Sequence, residues 1–133
     1  MGKFSSGLIF RHGNGLILGK PDGKRPCLAL VGHTDTVPPH EGDPQPNIDG
    51  DKLTGLGASD MKSSLAIMQL LCEKLDLANL PFCLVLVFYD KEEGPFADNG
   101  LQPLLDHYPW LEEIDLAIAM EPTDNTFQLG CLG

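Results

Sequence analysis

Apolar and polar positions change period several times along the chain, and each change predicts an element. Residues 7–11 and 16–18 are short apolar runs separated by His12-Gly13-Asn14-Gly15. Asn-Gly between apolar runs predicts a β-hairpin. Cys27-Leu28-Ala29-Leu30-Val31 is a short, unbroken apolar run and reads as a buried strand. Residues 38–51, rich in Pro, Gly and Asp, read as a long loop, with Asp49-Gly50 as a second turn leading to a short strand near Leu53. From Met61 to Leu75 the apolar spacing becomes three and four (Met61, Leu65, Met68, Cys72, Leu75), which predicts a helix with Lys62, Ser63, Gln69, Glu73 and Lys74 on its wet side. Residues 82–89 are almost continuously apolar, as a strand covered on both faces requires. A short helix is predicted at Leu101 to His107, a strand at 115–120 and a last strand at 126–131. Strands alternating with helices predict an α/β fold with parallel members.

Composition narrows the function classes. The 133 residues are 42% hydrophobic and carry a net charge of −10. They suffice for one domain with its own core. The acidic balance argues against nucleic acid and against an anionic membrane surface as partners, since both select Lys and Arg. No apolar stretch is long enough to span a membrane. The start, Met-Gly-Lys-Phe-Ser-Ser, lacks a signal-peptide core, so a cytoplasmic location is expected. Gly2 with Ser6 matches the myristoylation pattern only loosely. The four cysteines, at 27, 72, 83 and 131, form no Cys-x-x-Cys pair. They are expected to be buried free thiols rather than a disulfide framework.

Two apparent motifs fail on inspection. Gly15 to Pro21 has the wrong spacing for a phosphate loop, and Pro21 stands where a hydroxyl is needed. Asp49 and Asp51 lack the remaining ligands of a calcium loop.

The chemistry-bearing residues fall at element ends. The run 27–31 leads into Gly32-His33, the run 82–89 into Asp90-Lys91-Glu92-Glu93-Gly94, and the run 115–120 into Glu121-Pro122-Thr123. The helix is preceded by Asp60. Taken singly, His33 is a loop histidine, Asp60 a helix N-cap, Glu92 and Glu93 a solvated turn, and Glu121 a surface acid. If the strands are parallel, these positions share the carboxyl edge of the sheet, where open α/β folds place their ligand sites. One imidazole with several carboxylates suits Zn²⁺, Mn²⁺ or Co²⁺. Asp35, two residues beyond His33, faces the same side in an extended segment and can orient the ring. Of the adjacent Glu92 and Glu93, one can ligate while the other carries a proton.

The stretches "GHTDTVPP", "GLGASDMKSSLA", "YDKEEG" and "EPT", in this order at gaps of 27, 33 and 28 residues (33 to 60, 60 to 93, 93 to 121), resemble the co-catalytic dizinc amidohydrolases and exopeptidases. "LVFYDKEEG", "EPTDNT" and "LGCLG" are most similar to the succinyl-diaminopimelate desuccinylase branch. The resemblance implies a zinc-exopeptidase-like catalytic domain with a twisted, mixed, largely parallel sheet flanked by helices. It implies two Zn²⁺, with Co²⁺ or Mn²⁺ as substitutes. It makes His33, Asp60, Glu93 and Glu121 metal ligands, with Asp60 bridging and followed by a cis peptide bond. Asp35 becomes the orienting partner of His33 and Glu92 the general base. The implied reaction is hydrolysis of an N-acyl amide, foremost N-succinyl-LL-2,6-diaminopimelate to succinate and LL-diaminopimelate in lysine biosynthesis. Acetylornithine deacetylase, aminoacylase and dipeptidase activities use the same residues. The implied partner is a small N-acylated amino acid, and the implied parent a homodimer.

The departures shape the expectation for this chain. The family commonly has Arg near Leu56 and two glycines at Ser63 and Ser64. Its second zinc takes a further His from a later part of a longer chain, and His12, His40 and His107 match no ligand position. Residues 1–133 are therefore expected to form a single partial catalytic domain, without the lid and dimerisation domain, and to be inactive in isolation.

Overall fold

The computed structural model describes residues 8–124 and 126–129. Strands β1 (Ile9–His12) and β2 (Gly15–Leu18) form the expected hairpin. Its two-residue loop is Gly13-Asn14 rather than Asn14-Gly15, because His12 pairs with Gly15 and Gly13 adopts φ 57°. Strand β3 (Cys27–His33) continues two residues past the apolar run. β4 (Asn47–Asp49) and β5 (Lys52–Thr54) make a small separate hairpin around Gly50, so the loop expected to reach residue 51 already gives way to strand at residue 47. Helix α1 (Ser63–Lys74), β6 (Cys83–Tyr89), helix α2 (Leu101–His107) and β7 (Leu116–Ala119) follow.

The five-stranded sheet has the order β1-β2-β6-β3-β7. β3 lies parallel to both β6 and β7, whereas β1 and β2 run antiparallel. The sheet is thus mixed with a parallel core, as expected. Its faces alternate with residue parity. Cys27, Ala29, Val85, Val87 and Ile17 pack against Leu104 of α2 and Leu111 of the following turn. Leu30, Leu84 and Leu86 pack against α1 through Met68, Leu65, Leu71 and Cys72. β3 and β6 are therefore covered on both sides, which explains their unbroken apolar sequences.

Three expectations are corrected. Regular helix starts at Ser63, not Met61, because Asp60 and Met61 have non-helical dihedrals within the turn Ala58–Lys62. Asp60 consequently does not cap the helix. No strand forms at 126–129; a Thr123–Thr126 turn, closed by each hydroxyl bonding the other residue's carbonyl at 2.6 and 2.7 Å, turns the chain instead. Residues 130 and 131 of that expected strand, the Gly2/Ser6 pattern and Cys131 lie outside the described residues. Cys27, Cys72 and Cys83 are free; Cys27 and Cys83 are buried and Cys72 is half-buried. Among the described residues, no helix is long and apolar enough to cross a membrane.

Candidate metal centre

The parallel core delivers the site. His33 ends β3 and aligns with Tyr89 at the end of β6, and Val31 aligns with Ala119 at the end of β7. Glu121 and the acidic loop after Asp90 therefore emerge beside His33, at the carboxyl edge. β7 leaves the ladder after Met120, whose N–H bonds Val31 O at 2.9 Å. On β3, the His33 N–H then faces Met61 Sδ at 3.1 Å. The Asp60–Met61 peptide bond is cis, and the turn brings Met61 under the sheet and Asp60 over its edge. Gly32 makes the approach possible: a Cβ there would lie 2.6 Å from Met61 Cε.

His33 is buried, only 1% exposed. Its Nε2 lies 3.0 Å from Asp60 Oδ1 and 3.7 Å from Glu121 Oε1. Its Nδ1 lies 3.4 Å from Asp35 Oδ1, out of line for a hydrogen bond, and among the described residues it is the buried side-chain polar atom without a partner. Ligand atoms of His33, Asp60 and Glu121 lie within 4.8 Å of one another, as do those of His33, Glu92 and Glu93. All six residues singled out in the sequence are thus brought together around one imidazole. His12, His40 and His107 join neither group; His12 and His107 instead stack on each other with ring centroids 4.2 Å apart.

Asp35 has a part that its spacing did not reveal. Its two oxygens accept the backbone N–H groups of Glu92 and Glu93 at 3.2 and 3.1 Å. The loop doubles back to reach it through Lys91, which adopts φ 60°. Lys62, from the Asp60 turn, donates to Thr34 O at 2.6 Å and ties that turn to the end of β3.

The electrostatics are those of an acid-rich crevice around one base. Burial disfavours the charged imidazole of His33, but its hydrogen bond to Asp60 and the charges of Glu121 and Asp35 outweigh this and raise its pKa. Burial pushes Asp35 up, yet the N–H groups of Glu92 and Glu93 bring it below the ordinary aspartate value. Glu93 is raised by burial and by repulsion from Asp60 and Glu92. Glu121 is raised by burial, against the pull of His33, and further by Asp60 and Glu92. Burial, aided by Glu92, Glu121 and Asp35, pushes the Tyr89 phenol to about 12. A divalent cation answers this arrangement. One imidazolium cannot neutralise the five carboxylates around it, and a nitrogen donor with hard oxygens is a fitting zinc set. Beside the cluster, a cavity of about 400 Å³ is walled by Asp60, Glu93, Ser59, Thr36, Leu56 and Asp43 among others.

Comparison with known proteins gives the family. The family model described as peptidase family M20/M25/M40 matches residues 29–131. A Mycobacterium tuberculosis (strain H37Rv) protein, provisionally named as a succinyl-diaminopimelate desuccinylase, is 39% identical over 126 residues, covering 94% of this chain and 34% of that protein. The succinyl-diaminopimelate desuccinylase of Corynebacterium glutamicum is 33% identical over 126 residues, with the same coverage. That of Gluconobacter oxydans is 37% identical over 108 residues, covering 74% of this chain and 27% of that protein. The chain spans about a third of the length of the curated relatives it matches.

Proposed function

Because the chain belongs to peptidase family M20/M25/M40, we propose that it contributes the metal-binding part of a catalytic domain that hydrolyses N-acyl amides, with N-succinyl-LL-2,6-diaminopimelate as substrate. The observation that carries this is the His33 imidazole, with Asp60 and Glu121 on Nε2 and Asp35 behind Nδ1. His33, Asp60 and Glu121 would hold one Zn²⁺, and Asp60 with Glu93 a second. Bound there, the metals lower the pKa of water and polarise the scissile carbonyl.

The chain's own residues do the rest. Asp35 faces the imidazole at Nδ1 and, through the N–H groups of Glu92 and Glu93, fixes the acidic loop. Glu92 takes the proton from the attacking water and returns it to the amine as the C–N bond breaks, leaving succinate and the free amine. Among the described residues, His33 is the one histidine of the cluster, so a second metal on Asp60 and Glu93 draws a further donor from outside them. The substrate assignment rests on the relatives' names. Deacetylation and dipeptide cleavage would use the same residues.

Elemental analysis of zinc-loaded protein tests the metal assignment. Wild type should retain zinc, and Asp60→Ala and His33→Ala should lose it; equal retention in all three would overturn the site. Release of succinate from N-succinyl-LL-2,6-diaminopimelate by the full-length parent protein, set against N-acetylornithine and a dipeptide, tests the substrate. Preference for either competitor would replace the desuccinylase reading.

A further inference from the structure

The acidic loop is held at two places, and only one of them belongs to the cluster just described. Asp35 grips its tip through the N–H groups of Glu92 and Glu93. The other hold is at its stem. Asp90 is the last residue before the chain turns back at Lys91, and it is half-buried between three elements. Its Oδ2 accepts Asn14 Nδ2, from the β1–β2 hairpin loop, at 2.7 Å. Its backbone O accepts the Gly100 N–H at 2.9 Å, at the start of α2. Its Oδ1 occupies the space that a Cβ on Gly100 would take, so the glycine is what lets the carboxylate sit there. Asn14 lies 76 positions from Asp90 in sequence, yet their bond ties the hairpin to the loop.

The stem fixes where the tip begins. Only Lys91 separates Asp90 from Glu92, and its left-handed turn gives them little slack. Rotation of the Asp90 stem would therefore swing both glutamates relative to His33. We infer that Asp90, held by Asn14 across the hairpin loop, is a positioning residue that sets the acidic loop against His33. This rests on the metal-site reading above; Asp90 joins neither of the two candidate ligand groups around His33.

A charge exchange tests it, with Co²⁺ as the probe. Asn14→Asp sets two carboxylates against each other, Asn14→Ala deletes the bond without adding charge, and Asn14→Asp with Asp90→Asn restores it in reverse. Co²⁺ affinity and the visible cobalt band are recorded for each, with the melting temperature of the metal-free protein. Asn14→Asp should weaken Co²⁺ binding about tenfold, the scale of lost outer partners at metal sites. Asn14→Ala should shift it in the same direction. The exchanged pair should recover wild-type affinity and the wild-type band. Unchanged affinity in both single variants, or an exchanged pair that stays as weak as Asn14→Asp, overturns the proposal. A wild type that binds no Co²⁺ removes the metal site itself and this inference with it, which separates the two failures.

Discussion

The Asp35 carboxylate accepts the backbone N–H of Glu93 at 3.1 Å while facing the His33 ring from its Nδ1 side. One short side chain therefore joins the end of β3 to the loop after β6. Replacing it should disturb histidine and glutamates together. Asp35→Ala is expected to weaken Zn²⁺ binding about 10–100-fold, and Asp35→Asn less, because an amide oxygen can still accept one N–H. Calorimetric zinc titration measures both. Equal affinity in Asp35→Ala and wild type would show that the loop holds itself.

The two faces of the sheet should respond differently to truncation and overpacking. Leu104, fully buried under the α2 face, should cost about 2–5 kcal/mol when changed to Ala and leave the metal affinity of the folded protein intact. Gly32→Ala should cost about 1–3 kcal/mol, because its Cβ meets Met61 and Leu65. It should also weaken metal binding, since Met61 sits against the His33 N–H. Denaturant melts and zinc titrations of both variants check this; a Gly32→Ala protein with wild-type zinc affinity would refute the coupling.

Acid should unpick a contact far from the site. The backbone N–H groups of Arg25 and Lys24, then the Arg25 side chain, hold the Asp22 carboxyl well below its ordinary value. Arg25 in turn donates to Leu80 O at 2.8 Å. A carboxylate depressed in the folded state stabilises above its unfolded pKa and loses that contribution as pH falls through the folded value. Asp22→Asn should therefore melt below wild type near neutral pH, with the gap closing toward strongly acidic pH. A gap that widens in acid would contradict the sign.

Burial should also decide thiol reactivity. Burial, with nearby charges including Asp115, raises the Cys27 thiol to about 11, so little thiolate exists at pH 8. Iodoacetamide at pH 8, with modified residues mapped by mass spectrometry, should leave Cys27 unlabelled in the native protein and label it after denaturation. Rapid native labelling would mean that the β3–β6 face opens.

The convergence of His33, Asp60, Glu93 and Glu121 was legible because each follows or precedes an element with strong apolar periodicity, and parallel strands send their ends to one edge. The strand pairing itself supplied what periodicity lacks: the order that sets β3 between β6 and β7. The grip of Asp35 on the loop was not legible, because it depends on Lys91 adopting a left-handed conformation that lysine does not advertise. The Asn14–Asp90 bond joins residues too distant for any local pattern. The strand expected at 126–131 had suitable apolar residues, but the preceding threonines close a turn before them. The hairpin loop slipped by one residue because Gly13, not the Asn-Gly pair, takes the positive φ.

The position of β3 between β6 and β7 also ties the cluster to the folding reaction. Its donors are spread from position 33 to position 121, and no two neighbouring elements carry them all. Such a site is absent until β3 has paired with both β6 and β7, so an occupied metal site reports assembly of the parallel core of the sheet. By mass action, a cation bound only by the assembled form adds about 2.7 kcal/mol at a hundredfold excess over its Kd. The same ion would act as a clasp between the strand ends, and chelation would loosen them.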